Sequence, residues 1–373
     1  FLRALIPLVP IVLVSSTPLR RAGADEVSPT ARLRVGHIGL ELDGAWSFTR
    51  HVDEARDAIL VAIAEPLRHL RERAASTFPN ATLYDDYETM LDTERPDAVT
   101  VTAPNATHLA IVKACAKRRV HVWMQKPLAA NLPQALEIER AAKSAGITVM
   151  VNVWTDWSSE AQTFKRNVTS VGKPLRLTAE NGYSRHKTLS PTYAAYFADP
   201  VRHGGGAFKD QGTYGLAWAL QLLGRPLRVH AVGKKLRRDL ATSAEDEAWA
   251  LLEYPEATAV VQGTWALTEA PPGVRTELRL QGDQGSLRRV GGAVFFSADG
   301  PTPPKVEERV EPVVPSGERQ NGVTYFVARL RDGKPIEAPH SLQFAVEVDE
   351  LTELVYRAMR SGRGVRVPPS RAR

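Results

Sequence analysis

The spacing of hydrophobic residues changes near residue 152, and this change divides the chain into two parts. From Leu33 onward, short runs of Val, Ile and Ala alternate with longer stretches in which apolar residues recur at helical spacing. Such runs predict buried parallel strands, because strands covered by helices on both faces are apolar along their whole length. The predicted strands are Leu33–Ile38, Ile59–Ala64, Ala98–Thr102, Val120–Met124 and Ile147–Val151. Residues 32–152 are therefore predicted to form a doubly wound α/β domain with a parallel sheet.

The stretches between these strands predict helices. They are Pro66–Phe78, Tyr84–Leu91, Ala106–Lys117 and Leu132–Ala145, and Gly146 follows the last of them as a helix stop. Ligands of doubly wound folds bind outside the carboxyl ends of the strands, so the strand ends are where chemistry is expected.

The second part, residues 153–373, has short strand patterns separated by turn residues, which are typical of a mostly antiparallel sheet. Its predicted strands are Leu175–Ala179, Val229–Lys234, Ala248–Tyr254, Thr258–Trp265, Arg275–Gln281 and Gly285–Val290. Its predicted helices are Ser159–Ser170, Gly206–Leu223 and Ser341–Arg360, and the stretches 182–202 and 301–315 are predicted to be loops. The fold class is thus α/β, with a parallel N-terminal sheet and a second sheet that is mostly antiparallel.

Residues 1–31 stand apart from both domains. The apolar run Ala4–Ser16 is shorter than the about 20 residues that span a bilayer, so no stable membrane insertion is expected. The run resembles the core of a signal peptide, although Arg20 and Arg21 lie between it and the small residues that would form a cleavage site. A start chosen too far upstream explains the segment equally well. We expect a cytoplasmic protein, or an exported one if residues 1–24 are a signal peptide.

Composition and charge exclude several classes of function. The 373 residues are 43% hydrophobic and 24% charged, as in an ordinary globular protein. The net charge of +6 equals the number of arginines after residue 356, so the body of the chain is neutral and no nucleic-acid partner is expected. The single cysteine excludes intrachain disulfides and a cysteine-based zinc site, and the nine histidines lack ligand spacing, so no metal is expected.

The turn after the first predicted strand carries an incomplete dinucleotide motif. Gly39 and Gly44 occupy the first and sixth positions of the glycine fingerprint, but Glu41 takes the middle position, where glycine lets a pyrophosphate approach the backbone. A carboxylate there repels phosphate unless it points away. A tight turn into a packed helix explains the two glycines nearly as well. Glu65 ends the second strand, where an acidic residue binds the ribose and favours NAD over NADP.

Two more strand ends carry candidate residues. Ala103, Pro104, Asn105 and His108 follow the third of these strands and open a helix, with Asn105 as a candidate N-cap. The segment that follows the next strand places Lys126 after Gln125 and before a proline, which favours extended geometry at the lysine. A surface charge is the alternative explanation for this lysine.

The order of these features resembles the family of glucose–fructose oxidoreductase, inositol dehydrogenase and MocA. The matching pieces are VGHIG at the first strand, Glu65, APNATH, the tripeptide QKP and the later block GGGAFKDQGTYG. The resemblance implies an N-terminal Rossmann domain, a C-terminal domain on a large open sheet, and NAD or NADP as cofactor for oxidising or reducing sugars and polyols. It also implies a homodimer. The cofactor-binding positions it implies are Gly36, Ile38, Gly39, Gly44, Glu65, Ala103, Pro104, Asn105, His108, Gln125 and Lys126.

The resemblance also implies the catalytic residues. The family's lysine lies in Glu-Lys-Pro, and here Lys126 holds that place with Gln125 before it. The family's acid/base block corresponds to Asp210 and Tyr214, which are four residues apart and so share one helix face. We hypothesise that Tyr214 exchanges the substrate's hydroxyl proton, that Lys126 lowers the effective pKa of Tyr214 from its usual value of about 10, and that Asp210 holds Lys126.

Substrate contacts are expected at the domain boundary and in the loop after it. The candidates are Asn152, Trp154, Trp157, Arg185 and His186. Two other functions fit the same scaffold. An NAD-dependent glycosidase would regenerate its cofactor in each cycle, and a catalytically impaired nucleotide- or sugar-binding protein would explain Glu41 and Gln125.

Overall fold

The computed structural model describes residues 32–183, 190–267, 274–298 and 307–370, and these form two sheets with helices packed on them. The first sheet has six strands, all parallel, in the order β3-β2-β1-β4-β5-β6. Its strands are β1 (Leu33–Ile38), β2 (Ala58–Ala64), β3 (Thr82–Tyr84), β4 (Ala98–Val101), β5 (His121–Gln125) and β6 (Val149–Asn152). This arrangement confirms the predicted doubly wound domain.

The helices of this domain agree with the prediction except around residue 84. They are α1 (Asp43–Asp53), α2 (Arg68–Thr77), α3 (Tyr87–Glu94), α4 (His108–Arg118) and α5 (Leu132–Ala145). The predicted helix Tyr84–Leu91 is wrong at its start, because Tyr84 pairs with Ala64 as the last residue of β3. The helix begins only after Asp86, whose side chain accepts the amide of Thr89 as an N-cap.

The second sheet has nine strands in the order β14-β13-β12-β11-β7-β10-β9-β8-β15. Only β7 and β10 pair in parallel, which confirms the mostly antiparallel prediction. The strands are β7 (Pro174–Tyr183), β8 (Arg228–Lys234), β9 (Glu247–Glu253), β10 (Thr258–Thr264), β11 (Val274–Gly282), β12 (Gly285–Val290), β13 (Ala293–Ala298), β14 (Glu308–Arg309) and β15 (Val365–Arg366). The strands β13, β14 and β15 were not predicted, because their sequences are short and show too little alternation of apolar and polar residues.

The helices of the second part differ more from the prediction. They are α6 (Ser159–Arg166), α7 (Pro191–Ala198), α8 (Pro200–His203), α9 (Thr213–Leu223), α10 (Gly322–Arg331) and α11 (Leu342–Ser361). The prediction that residues 182–202 form a loop is wrong for the residues of this stretch that the structure describes, which include α7 and most of α8. Ser190 caps α7 and Asp199 caps α8, each followed by a proline at the first helical position.

The predicted helix Gly206–Leu223 is one continuous element whose first part is wound as a π-helix, Phe208–Gly212. This part lies directly against β10. A Cβ on Gly263 would come within 2.6 Å of the Gly212 nitrogen and 2.8 Å of the Phe208 Cα, so only glycine permits the contact. The sheet therefore fixes the position of the helix that carries Asp210 and Tyr214.

Two helices from the C-terminal third return to the first domain. Tyr325 and Phe326 of α10 pack in one apolar cluster with Phe48 and Trp123, and Ala345 of α11 packs in the other cluster of that domain. The first domain is therefore completed by residues far beyond 152. No helix within the described ranges combines the length and apolar content that a membrane crossing requires.

Candidate active site

A cavity of about 330 Å³ lies at the carboxyl ends of β1, β4 and β5, where the first domain meets the second. Its wall includes the start of α1, the end of β5, and residues from α7, α8 and the π-helix. The lining residues are Leu42, Asp43, Gly44, Ala45, Ser47, Thr102, Asn105, Gln125, Lys126, Pro127, Tyr183, Tyr193, Tyr196, Phe197, His203, Asp210 and Tyr214. All three residues predicted to be catalytic are among them.

Lys126 and Asp210 form a buried ion pair inside this cavity. The Lys126 ammonium donates to Asp210 Oδ1 at 2.8 Å and to the Asp210 carbonyl at 2.5 Å, and the two side chains are 14% and 8% exposed. The same ammonium lies 4.4 Å from the centre of the Tyr214 ring and interacts with the Tyr214 hydroxyl. The structure thus brings together three groups that lie 84 and 88 positions apart in the chain.

Asp210 is held as a carboxylate by its partners. Burial by itself would raise the pKa of Asp210, but the Lys126 ammonium and further donors hold it well below its usual range. Those donors are Gln211 Nε2 and Trp265 Nε1, each 2.9 Å from Oδ2, and the hydroxyl of Tyr183. A carboxylate with this many donors is a fixed anchor for the lysine and is poorly placed to act as a base itself.

Tyr214 departs from the sequence-based hypothesis. Burial raises the pKa of Tyr214, and this effect exceeds the opposite effect of the Lys126 charge. Lys126 does act to lower the pKa of Tyr214, as expected, but the pKa stays above its usual value because burial of the phenol, which the hypothesis did not consider, has the larger effect. The cluster as described carries a protonated lysine, a neutral tyrosine and one carboxylate.

An aromatic wall that the sequence analysis missed faces these three residues. Tyr193, Tyr196 and Phe197 lie on one side of α7, and Phe197 contacts the Trp265 ring with centroids 4.7 Å apart. His203 lies against the same rings, and burial lowers its pKa to about 4, so it is neutral at physiological pH. The sequence does contain a signal for α7, because Ser190 followed by Pro191 is a helix cap followed by a first-turn proline.

The opposite wall is formed by the turn into α1. Gly39 has φ +91, and a Cβ there would lie 2.6 Å from the Ala103 Cα, so this position requires glycine. Leu42 precedes α1 without capping it, so the first-turn amides have no side-chain acceptor. Nothing lies within 4 Å of a Cβ placed on Gly44, which leaves open space beside those amides. Uncapped amides at a helix start form the usual cradle for a phosphate.

Glu41, the residue that interrupts the glycine motif, is neutralised by the second domain. Its two carboxylate oxygens accept from Arg202 Nη2 at 2.9 and 2.8 Å, and its side chain is 8% exposed. Arg202 belongs to α8, 161 residues further along the chain. The repulsion expected between Glu41 and a phosphate is therefore offset by the cation paired with its carboxylate.

Glu65 occupies the predicted strand end but is fully buried there. Its Oε2 accepts the Leu40 amide at 2.6 Å, and its Oε1 accepts the Leu67 amide at 2.8 Å. Burial raises the pKa of Glu65 despite these two bonds. The carboxylate ties the glycine turn to the start of α2, and its contact with a ribose stays a prediction.

Asn105 and His108 also bind protein groups. The prediction that Asn105 caps α4 is wrong: it begins a short 3₁₀ turn, and its Nδ2 donates to the His203 carbonyl at 2.7 Å. His108 is buried, with its ring nitrogens 3.0 Å from the Ala103 carbonyl and 3.1 Å from the Leu128 carbonyl. It therefore links the two loops that end β4 and β5.

The other predicted residues lie outside the cavity lining or outside the described residues. Gly36, Ile38, Ala103 and Pro104 are buried beneath the turn. Asn152 is fully buried and accepts from Trp157 Nε1 at 2.9 Å, so neither residue faces this cavity. Trp154 lies in a 3₁₀ turn, and Arg185 and His186 lie outside the described residues. Their proposed contacts with a substrate stay predictions.

Comparison with known proteins gives the same class as the fold and the cavity, an oxidoreductase with a dinucleotide-binding domain. Residues 33–153 match the model of the oxidoreductase family GFO_IDH_MocA, described as an NAD-binding Rossmann fold, and residues 168–288 match the C-terminal domain of the same family. The chain belongs to the GFO/IDH/MocA family of oxidoreductases.

Individual relatives agree with this assignment. The chain is 26% identical to a dTDP-3,4-didehydro-2,6-dideoxy-alpha-D-glucose 3-reductase of Streptomyces antibioticus over 89% of this chain and 98% of that protein. It is 25% identical to an NADP(+)-dependent scyllo-inositol 2-dehydrogenase of Bacillus subtilis over 65% and 72%. The crystal structure of an oxidoreductase from Agrobacterium radiobacter superposes with a TM-score of 0.76 at 20% identity, covering 90% and 98% of the two chains.

The residues present fit a nicotinamide dinucleotide. The uncapped first turn of α1, the required glycine at position 39 and the neutralised Glu41 accommodate a pyrophosphate. Lys126 and Tyr214 lie in the same cavity. No group of acidic, histidine or cysteine residues that would hold a metal ion occurs in the described part of the chain.

We predict that Arg202→Gln weakens NAD⁺ binding about tenfold or more, which corresponds to ~1.4 kcal/mol. The change leaves the buried Glu41 carboxylate unpaired beside the phosphate cradle. Glu41→Gln alone should bind at least as tightly as the wild type, and the double variant should return most of the lost affinity. Isothermal titration with NAD⁺ and NADP⁺ measures this, and the exposed Arg360→Gln is the matched control. Unchanged affinity of Arg202→Gln would refute the assigned role of the pair.

Proposed function

We propose that this protein transfers a hydride between a nicotinamide cofactor and a hydroxyl-bearing carbon of a sugar or polyol. The observation that carries the proposal is the single cavity in which the Lys126, Asp210 and Tyr214 cluster faces the phosphate cradle of α1. Members of this family are oxidoreductases with an NAD-binding domain, and the relatives named above act on an inositol and on a dTDP-linked deoxysugar.

The protein's own residues transfer the proton, whereas the bound cofactor would supply the hydride acceptor or donor. In the reducing direction, Tyr214 donates its phenolic proton to the oxygen that becomes a hydroxyl. The Lys126 ammonium stabilises the negative charge on that oxygen, since Asp210 fixes it at the cavity floor. In the oxidising direction, the hydroxyl proton passes back to Tyr214, which must first be ionised.

The cavity wall favours a neutral cyclic substrate. Tyr193, Tyr196 and Phe197 present rings against which the apolar face of a sugar packs, and the phenolic groups offer hydrogen bonds to its hydroxyls. Among the described lining residues, Lys126 is already paired with Asp210, and His203 is neutral at physiological pH. This charge balance supports a polyol or aldose over a phosphorylated or multiply charged compound.

Tyr214→Phe should lower kcat for oxidation of a cyclic polyol about 10²–10⁴-fold, because it removes the proton carrier and leaves the ring in place. Lys126→Met should have an effect of similar size. NADH formation with myo-inositol, scyllo-inositol and D-glucose is the measurement, and its net accumulation also separates a dehydrogenase from a glycosidase that regenerates its cofactor. The controls are Tyr254→Phe, a half-buried tyrosine outside the cavity, and the exposed Lys143→Met. Wild-type turnover in both cavity variants would remove these residues from the mechanism.

The raised pKa of Tyr214 predicts a directional pH dependence. Oxidation requires the ionised tyrosine, so kcat/KM for oxidation should rise with pH through the neutral and alkaline range without levelling off below about pH 10. Reduction uses the neutral tyrosine and should stay flat over the same range. Parallel pH profiles in both directions measure this. A plateau for oxidation near pH 7 would point to another group as the base.

We further propose that two copies associate through the outer face of the second sheet. Val232 and Leu251 on this face are 51% and 40% exposed, and they are flanked by the half-buried Trp249 and Val260. Isolated apolar residues are common on protein surfaces, but four on adjoining strands form a continuous apolar strip. The paired changes Val232→Lys and Leu251→Lys should convert a dimer to a monomer in sedimentation velocity. A wild-type monomer at micromolar concentration would contradict the proposal.

A further inference from the structure

The helix that carries Asp210 and Tyr214 begins directly after consecutive glycines, and its first amides need partners. A helix leaves its first four N–H groups without acceptors of its own, so a helix start inside a protein must find them elsewhere. Ala207, which precedes the π-helix, provides no side-chain cap. The four amides from Gly206 to Lys209 are nevertheless all bonded, and every acceptor comes from a distant part of the chain.

The Tyr356 hydroxyl, on α11, accepts from two of these amides. It accepts from Gly206 at 3.0 Å and from Lys209 at 3.2 Å, and it donates its own proton to Glu245 Oε1 at 2.8 Å. A hydroxyl has one proton to donate and two lone pairs, so its hydrogen-bonding capacity is fully used here. Burial and the neighbouring carboxylate raise the pKa of Tyr356 well above its usual value, so the hydroxyl keeps the proton that this arrangement requires.

Glu245, in the loop before β9, accepts from the other two amides. Its carbonyl accepts from Ala207 at 2.9 Å, and its Oε1 accepts from Phe208 at 3.1 Å. Helix starts are usually capped by the residue just before the first turn, as Ser190 caps α7. Here the cap consists of two residues that are remote in sequence, and we call Tyr356 and Glu245 the remote cap.

The glycines at the helix start make room for the remote cap. A Cβ on Gly205 would overlap the Tyr356 hydroxyl, and a Cβ on Gly206 would overlap the Glu245 carbonyl. Gly205 also has φ +153, a backbone conformation that residues with side chains rarely adopt. The glycines of the block GGGAFKDQGTYG therefore let two side chains reach amides that the helix itself leaves unpaired.

The capped turn controls the position of Asp210. The Asp210 amide donates to the Gly206 carbonyl at 3.3 Å, so a shift of the capped turn moves the carboxylate that holds Lys126. The loop before β9 constrains the same carboxylate by a second route. Asp246 accepts the backbone amide of Trp265 at 2.8 Å, and the Trp265 indole donates to Asp210 Oδ2 at 2.9 Å.

We propose that Tyr356 and Glu245 are positioning residues, which hold the Asp210 carboxylate against the Lys126 ammonium without touching substrate or cofactor. Neither residue lines the cavity, and the phosphate cradle lies on α1. Loss of the remote cap should therefore slow turnover and leave dinucleotide binding unchanged, because a displacement of about 1 Å at a reacting group can slow a reaction about 100-fold. The expected effect on turnover rests on the proposed function, whereas the effect on the position of Asp210 does not.

The first test is spectroscopic and needs no turnover. The reporter is the indole N–H signal of Trp265 in ¹⁵N-labelled full-length protein, assigned among the seven tryptophans by its loss in Trp265→Phe. Tyr356→Phe removes the hydroxyl and keeps the ring, and it should move this proton signal upfield as the bond to Asp210 weakens. The matched control is Tyr325→Phe, which removes a hydroxyl that accepts one backbone amide outside the cavity, and it should leave the signal in place.

The second test is kinetic. Tyr356→Phe should lower kcat about 10- to 100-fold and leave the Kd for NAD⁺ within about twofold of the wild-type value. Glu245→Ala removes the shared acceptor and should have a similar effect, whereas Glu245→Gln keeps an oxygen in that place and should retain most of the turnover. In an Asp210→Asn background, Tyr356→Phe should lower kcat no further, because no carboxylate remains to be positioned.

Four results would overturn the proposal. These are an unmoved Trp265 signal in Tyr356→Phe, an equal shift in Tyr325→Phe, equal losses of turnover in Glu245→Ala and Glu245→Gln, or an undiminished further loss in the Asp210→Asn background. If Tyr356→Phe fails to fold, Glu245→Ala takes its place in the spectroscopic test. A wild-type protein without dehydrogenase turnover would refute the proposed function instead, and the Trp265 signal would still decide whether the remote cap positions Asp210.

Discussion

The buried ion pair between Lys126 and Asp210 is the interaction on which the arrangement of the two domains depends. Removing two charges from water is costly, and the pair tolerates burial only because further donors complete the carboxylate. Those donors, from Gln211, Trp265 and Tyr183, all belong to the second domain, whereas Lys126 ends a strand of the first. Separating the domains would expose an unpaired charge on each side, so the pair fixes their relative position more than it adds to stability.

A second buried ion pair, between Lys209 and Asp349, lies next to the first and helps to position it. Lys209, adjacent to Asp210, donates to Asp349 of α11 at 2.7 Å, and both side chains are at most 3% exposed. The other oxygen of Asp349 accepts the amide of Ala129, three residues after Lys126. Both Lys126 and Asp210 are therefore flanked by residues that bond to one carboxylate on one helix. The Gly263 contact holds the π-helix on the sheet, so Asp210 is positioned from three directions.

The sequence predicted the parts of this structure that depend on local pattern. Continuous apolar runs identified the parallel strands, and the i,i+4 spacing placed Asp210 and Tyr214 on one face. Prediction from the sequence failed where a tertiary contact determines where an element begins or where it packs. The cap at Asp86 and the pairing of Tyr84 moved a helix start, and α10 was missed because its apolar residues pack on a domain that ends in sequence 170 residues earlier. The motif gave the direction of the effect of Lys126 on the pKa of Tyr214, but it could not give the larger, opposite effect of burial, because burial depth is not written in a motif.

Glu41 shows most clearly why an incomplete glycine motif does not reveal whether the folded protein can accept a phosphate there. By local chemistry it opposes a phosphate, yet the segment that carries α7 and α8 places Arg202 on its carboxylate. The same segment bonds the nucleotide-binding domain at further points, among them the Ser190 amide, which donates to Asp43, and the His203 carbonyl, which accepts from Asn105. Because these contacts surround the start of α1, the charge and shape of that part of the cavity wall are set jointly by both domains. A sequence motif in the first domain does not include the residues that the second domain contributes. The effect of Glu41 in the motif can therefore be judged only together with Arg202, which pairs with it.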